Sequence, residues 1–118
     1  MRNILIVDDE EGIRDLYENE LQGEGFATHS VSSGEEALNY INHDNNIDLV
    51  ILDIKMEKMD GLEVLEELRT KTNGIPVILN SAYSTYKNNF TSWLADAYLV
   101  KSADLSELKD KVKELLAF

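Results

Sequence analysis

The sequence of 118 residues predicts a doubly wound α/β domain, with β-α repeated five times around a parallel sheet and helices on both faces. Two observations carry that expectation. Short apolar runs recur at 4–7, 49–52, 77–79 and 98–100, unbroken by polar residues, as strands buried on both faces require. Between the runs, apolar residues fall at helical spacing. Linkers, repeats and low-complexity tracts are absent from the sequence, so residues 1–118 are read as one domain.

The elements follow in order. After the first strand, Ile13, Leu16, Tyr17 and Leu21 mark one helical face. A weaker run at 26–31 gives the second strand. Ser33 is a candidate N-cap with Glu36 three residues on, and Ala37, Leu38 and Ile41 form the stripe behind it. The third stripe is Leu62, Leu65 and Leu68. A helix at 84–93 is the weakest, because Asn88, Asn89, Thr91 and Ser92 are mediocre helix formers. Leu105, Leu108, Val112, Leu115 and Leu116 form the last stripe, capped by Ser102 or Asp104.

Bulk composition narrows the functional classes. The formal charge is −12, from 23 acidic and 11 basic residues. Such a field repels phosphate backbones, so direct nucleic-acid binding by this chain is not expected. With no cysteine it forms neither a disulfide nor a thiolate metal site. The first apolar run is too short for a signal peptide, and no run approaches the ~20 residues that cross a bilayer. The expectation is a soluble, cytoplasmic protein without membrane insertion.

In doubly wound sheets, function gathers at the carboxyl ends of the strands, near the point where strand order reverses. Here the first run ends in Asp8-Asp9-Glu10 and the run at 49–52 ends in Asp53. Carboxylates converging in one cleft repel each other unless a cation is present, and a few Asp oxygens with open positions are how proteins hold Mg²⁺. Taken singly, these residues read more readily as helix caps and a strand end. Ser81 and Lys101 follow two further runs, so four of the five strands end in a polar group. That set suits a phosphoryl group. A metal and Lys101 neutralise its oxygens, the Ser81 hydroxyl donates to one of them, and Asp53 is the nucleophile.

The segments ILIVDDEEGIR, DLVILDIKMEKMDGLEVL, VILNSAYS and DAYLVKSADLSEL resemble the signatures of the response-regulator receiver domain of two-component signalling, in the right order and over essentially the whole chain. The resemblance implies the flavodoxin-like (βα)5 fold of the chemotaxis regulators. It makes Asp53 the phosphoacceptor and Asp9 the direct Mg²⁺ ligand, with Asp8 acting through water or as a second carboxylate. Asp53 itself and the backbone carbonyl of Lys55 complete the metal set, and Mn²⁺ could substitute. Ser81 becomes the switch hydroxyl, Lys101 the phosphate-pairing lysine, and Tyr98 the switch aromatic. Lys55 and Tyr83 take the places that tune phosphoryl lifetime, and their bulk points to slow hydrolysis. Gly12 and Ile13 lie at the end of the first helix where a kinase docks. The implied partners are a sensor histidine kinase or histidine phosphotransfer protein, and a downstream output protein or domain. The chain would then be a signalling switch that catalyses only its own phosphotransfer and autodephosphorylation. The alternatives are a receiver-like docking module that is never phosphorylated and an aspartyl-phosphate hydrolase. In such hydrolases a second acid stands where this chain has Lys55.

Three departures from the family pattern stand out. Met56-Glu57 replaces the usual Met-Pro, so the loop loses a fixed φ. Ser102 replaces the proline after the lysine, and a trans Lys101–Ser102 bond, or a strained cis one at ~3–4 kcal/mol, is expected. The segment from Ser81 to Lys101 is shorter than usual and lacks the glycine before the fifth strand, so the helix at 84–93 is expected to be short or mobile. His29 and His43 are expected at the surface, Trp93 against its helix, and Glu63, Glu66 and Glu67 on a solvated face.

Overall fold

The computed structural model describes residues 1–43, 46–56, 58–71, 74–82 and 94–116. The apolar runs become strands β1 Asn3–Val7, β3 Leu49–Leu52, β4 Val77–Ser81 and β5 Ala97–Val100, and the weaker run becomes β2 Ala27–Val31. All five pair in parallel, in the order β2-β1-β3-β4-β5. The described helices are α1 Glu11–Gly23, α2 Gly34–His43, α3 Gly61–Lys71 and α4 Ser106–Leu115. The helix expected at 84–93, with Trp93, lies outside the described residues.

Strand alternation divides the core between the two faces of the sheet. Leu5, Val7, Val50, Leu52, Val77 and Leu79 pack with Ala37 and Ile41 of α2 and Val64, Leu65 and Leu68 of α3. Ile4, Ile6, Leu49, Ile51 and Ile78 pack with Tyr17 and Leu21 of α1 and Leu108 and Val112 of α4. Central β1, β3 and β4 are therefore apolar on both sides. Edge strand β2 is only half-buried over most of its length, which is why its sequence signal is weak. Leu16 departs from the expected core face and is 43% exposed. Ile13, Tyr17 and Leu21 follow one i, i+4 row, and Leu16 falls beside it.

Local chemistry sets the helix ends. Glu36 N donates to Ser33 Oγ at 3.1 Å, while Ser32 Oγ and Ser33 Oγ donate to the Glu36 carboxylate. Asp60 Oδ1 accepts from Glu63 N at 3.0 Å to cap α3. Neither candidate before α4 is its N-cap, which is Leu105 without a side-chain cap bond; Asp104 Oδ1 accepts from Ser106 N at 2.9 Å, and Ser102 Oγ accepts from Asp104 N in the turn before the helix. α1 ends where Gly25, at φ +94, lets Gly25 N reach Gln22 O and Phe26 N reach Leu21 O. Glu63, Glu66 and Glu67 are exposed as expected. So is His29, which stacks on Tyr40 with ring centroids 4.2 Å apart. The side chain of His43 lies outside the description.

Ion pairs tie distant elements together. Lys109 on α4 pairs with Glu20 on α1 at 2.8 Å, and Lys113 pairs with Glu24. Arg69 on α3 donates to Leu94 O and Ile75 O and pairs with Asp96 at 2.8 Å, which holds the stretch entering β5. Asp96 Oδ2 also accepts from Val77 N at the start of β4. No helix among the described residues is long and apolar enough to cross a membrane.

Candidate functional site

The parallel register delivers the strand ends to one edge. Val7 pairs with Leu52, and Asp53 N donates to Val7 O at 2.9 Å, so Asp8 and Asp53 leave adjacent strands side by side. Ser81 pairs with Val100, and Lys101 N donates to Ser81 O at 2.7 Å. β1 and β3 are the neighbours between which the strand order reverses.

Asp8 and Asp53 are 2% and 4% exposed, an expensive place for two carboxylates. Lys101 explains how both are tolerated. Its Nζ lies 2.8 Å from Asp8 Oδ2 and 3.4 Å from Asp53 Oδ1, bridging the acids. Asp8 Oδ1 also accepts from Glu10 N at 2.9 Å, and Asp8 O accepts from the Arg14 guanidinium at 2.7 Å. The helix-cap alternative for Asp8 does not hold, since the N-cap of α1 is Glu10 without a side-chain cap bond; the Asp8 carboxylate organises the turn before the helix as well as meeting the lysine.

Electrostatics distinguish Asp53. Burial, followed by the charge of Asp8, raises its pKa from 3.8 to about 6, against the opposing pull of Lys101. For Lys101, burial draws the pKa down, but the contacts with Asp8 and Asp53 outweigh it and the net shift is upward. The lysine therefore stays protonated across the neutral pH range.

A cavity of about 290 Å³ opens beside the pair, lined by Asp9, Glu10, Asp53, Lys55, Ala82 and Lys101. Carboxylate oxygens of Asp8, Asp9 and Glu10 lie within 4.8 Å of one another. These are hard oxygen donors of the kind that suit Mg²⁺, and Asp53 faces the same cavity. Sequence reasoning placed Glu10 among the acids at the strand end but gave it no role, although it is the third acid of the DDE run. Ala82, Arg14 and Gly61 were missed. A Cβ on Gly61 would fall 2.1 Å from Asp53 O, so only glycine lets the start of α3 lie against the Asp53 backbone.

The other expected residues divide. Ser81 is fully buried at the end of β4, and Tyr98 is half-buried against the core on the α2 and α3 side. Gly12 is exposed, and Ile13 packs partly into the opposite core. Lys55 is exposed at the cavity. Tyr83 and Glu57 lie outside the described residues. The Lys101–Ser102 bond is trans, since the described residues contain no cis peptide.

Comparison with known proteins agrees with this fold. The family model for the response regulator receiver domain matches residues 4–113. The crystal structure of response regulator protein TrrA from Thermotoga maritima, in complex with Mg²⁺-BeF, is 50% identical with a TM-score of 0.95, covering 98% of this chain and 99% of that one. TrrA in complex with histidine kinase ThkA matches with a TM-score of 0.92 over the same share of each chain. Among curated proteins, regulatory protein AtoC of Escherichia coli (strain K12) is 36% identical over 98% of this chain but only 25% of its own length. The probable transcriptional regulator ycf27 of Guillardia theta is 39% identical over 96% of this chain and 44% of its own. The chain thus spans half or less of the length of these curated relatives. Matched by that family model over almost its whole length, the chain belongs to the response regulator receiver domain family, the switch module of two-component phosphorelays.

Proposed function

We propose that residues 1–118 form a phosphorylation-dependent receiver in which Asp53 accepts a phosphoryl group from a histidine of a sensor kinase or histidine phosphotransfer protein. The observation that carries this reading is the lysine-bridged pair of buried carboxylates opening onto the acid-lined cavity. An Asp53 carboxylate oxygen attacks phosphorus as the phosphohistidine N–P bond breaks, and the departing imidazole nitrogen keeps the electron pair and takes up a proton. Lys101, already at the edge of Asp53, pairs with the oxygens of the incoming group. Asp9, Asp8 and Asp53, with the Lys55 carbonyl, would hold Mg²⁺, and Glu10 is near enough to join them. Bound there, Mg²⁺ supplies positive charge against the phosphoryl oxygens, and Mn²⁺ is the natural substitute.

Ser81 is proposed as the switch hydroxyl and Tyr98 as the aromatic that follows it. Lys55 and Tyr83 tune phosphoryl lifetime, and Gly12 with Ile13 meets the kinase. Water later removes the phosphoryl group, so the chemistry is limited to self-phosphorylation and autodephosphorylation. The proposed setting is the cytoplasm. An output protein or domain reads the switch, a reading supported by the regulators that this chain matches over part of their length.

The test is intact mass after incubation with Mg²⁺ and acetyl phosphate, beside Asp53→Asn. One phosphoryl adduct on the parent and none on the variant is the expected result. An unmodified parent, or an equally modified variant, defeats the assignment.

A further inference from the structure

The carboxyl end of β4 is held less evenly than its middle. Val77, Ile78 and Leu79 pair with β3, but that ladder stops at Leu52↔Leu79. Among the described residues, the register partners of Asn80 and Ser81 are Leu99 and Val100 of β5, which is itself an edge strand. Ser81 thus stands on an overhang of the backbone, two positions beyond the last register pair with β3.

A second anchor reaches that overhang from the opposite layer. Asn80 Nδ2 donates to Tyr17 Oη at 2.6 Å, joining β4 to the middle of α1 across 63 residues of sequence. Both residues are buried, at 3% and 2% exposure, amid a core of Ile, Leu, Phe and Val. Burial raises the Tyr17 pKa, so the ring presents a neutral hydroxyl to the amide. A polar pair here is a choice, because two apolar side chains of similar shape would fill the space without desolvating an amide and a phenol. What the pair adds is direction. A hydrogen bond fixes distance and angle where apolar contact tolerates sliding.

We propose that Tyr17 and Asn80 are a positioning pair for the phosphoryl switch: their hydrogen bond pins the overhanging end of β4 to α1 and so sets where the Ser81 hydroxyl meets the group on Asp53. This rests on the phosphoacceptor reading. It adds a physical link between the helix carrying Gly12 and Ile13 and the strand carrying Ser81. Tyr17 follows Ile13 by one helical turn, so a partner that displaces α1 also moves the anchor of the switch.

The test separates positioning from support. Tyr17→Phe, Asn80→Leu and the double variant are compared with the parent by denaturant unfolding, by the rate of phosphorylation with acetyl phosphate and Mg²⁺, and by affinity for beryllofluoride with Mg²⁺. Tyr17→Phe leaves the Asn80 amide buried without its partner and lowers stability, while the double variant regains most of that loss with an apolar pair. The expected result is that phosphorylation and beryllofluoride affinity stay about tenfold below the parent in the double variant, whose Ser81 is no longer aimed. If restored stability brings both quantities back to the parent's values, the pair is only structural and the proposal is overturned. A parent that fails to take up phosphoryl groups defeats the phosphoacceptor reading instead, so the two failures are distinguishable.

Discussion

Replacing Asp53 with asparagine should stabilise the metal-free protein at neutral pH, and the size of the effect follows from the site. Burial and the neighbouring Asp8 raise the Asp53 pKa from 3.8 to about 6. The folded state therefore binds more protons than the unfolded chain between those values, and stability falls as pH rises through that window. A displacement of that size corresponds to about 3 kcal/mol at pH 7. The opening of the site to solvent screens it to about 2 kcal/mol. Asparagine keeps the shape and removes the charge, while Lys101 retains Asp8 at 2.8 Å. Urea unfolding of parent and Asp53→Asn, followed by circular dichroism in EDTA at pH 4 to 8, isolates the term as a difference. The variant should gain about 2 kcal/mol at pH 7, or about 8 °C in Tm, with the gain vanishing near pH 4. A variant equal to or less stable than the parent at pH 7, or a difference independent of pH, would refute the account of Asp53 as a carboxylate ionised at a cost.

Other expected outcomes follow from the same geometry. Lys101→Met removes the only cation bridging two buried acids among the described residues and should cost about 3 kcal/mol in unfolding at pH 7. Acidification should recover part of that loss, because protonation relieves the repulsion between Asp8 and Asp53. Mg²⁺ at ten times its dissociation constant should stabilise the parent by about 1.4 kcal/mol, and clearly less in Asp9→Asn, measured as a shift in the urea midpoint. Gly61→Ala brings a Cβ to 2.1 Å from Asp53 O and should destabilise by about 3 kcal/mol while slowing phosphorylation by acetyl phosphate. Gly34→Ala meets Val64 Cγ2 at 2.5 Å, so Val64→Ala beside it should restore part of the lost stability, read from the same unfolding curves.

The sheet was legible because its central strands are buried on both faces, which leaves unbroken apolar runs that local pattern cannot hide. β2 was fainter because an edge strand keeps polar residues on its open side. The placement of Asp8, Asp53, Ser81 and Lys101 at one edge was also legible, since parallel strands point their carboxyl ends the same way. Distances were not. Nothing in the local pattern says that Lys101 comes closer to Asp8 than to Asp53, or that Asn80 reaches Tyr17, because those contacts depend on how layers stack. Leu16 shows the same limit: whether it or Tyr17 takes the inner position depends on the rotation of α1 against the sheet.

The pairing of α1 with α4 has a consequence for synthesis. Lys109 and Lys113 reach back to Glu20 and Glu24, and Leu108 and Val112 cover Ile4, Ile6 and Ile78 on the same face. A chain still emerging from the ribosome can complete the face that α2 and α3 cover. Its other face stays without the α4 layer until the residues of α4 clear the exit tunnel. Completion of this face therefore waits on synthesis through α4, and a nascent chain stalled before residue 105 would carry a greasy, strand-lined surface for a chaperone to shield.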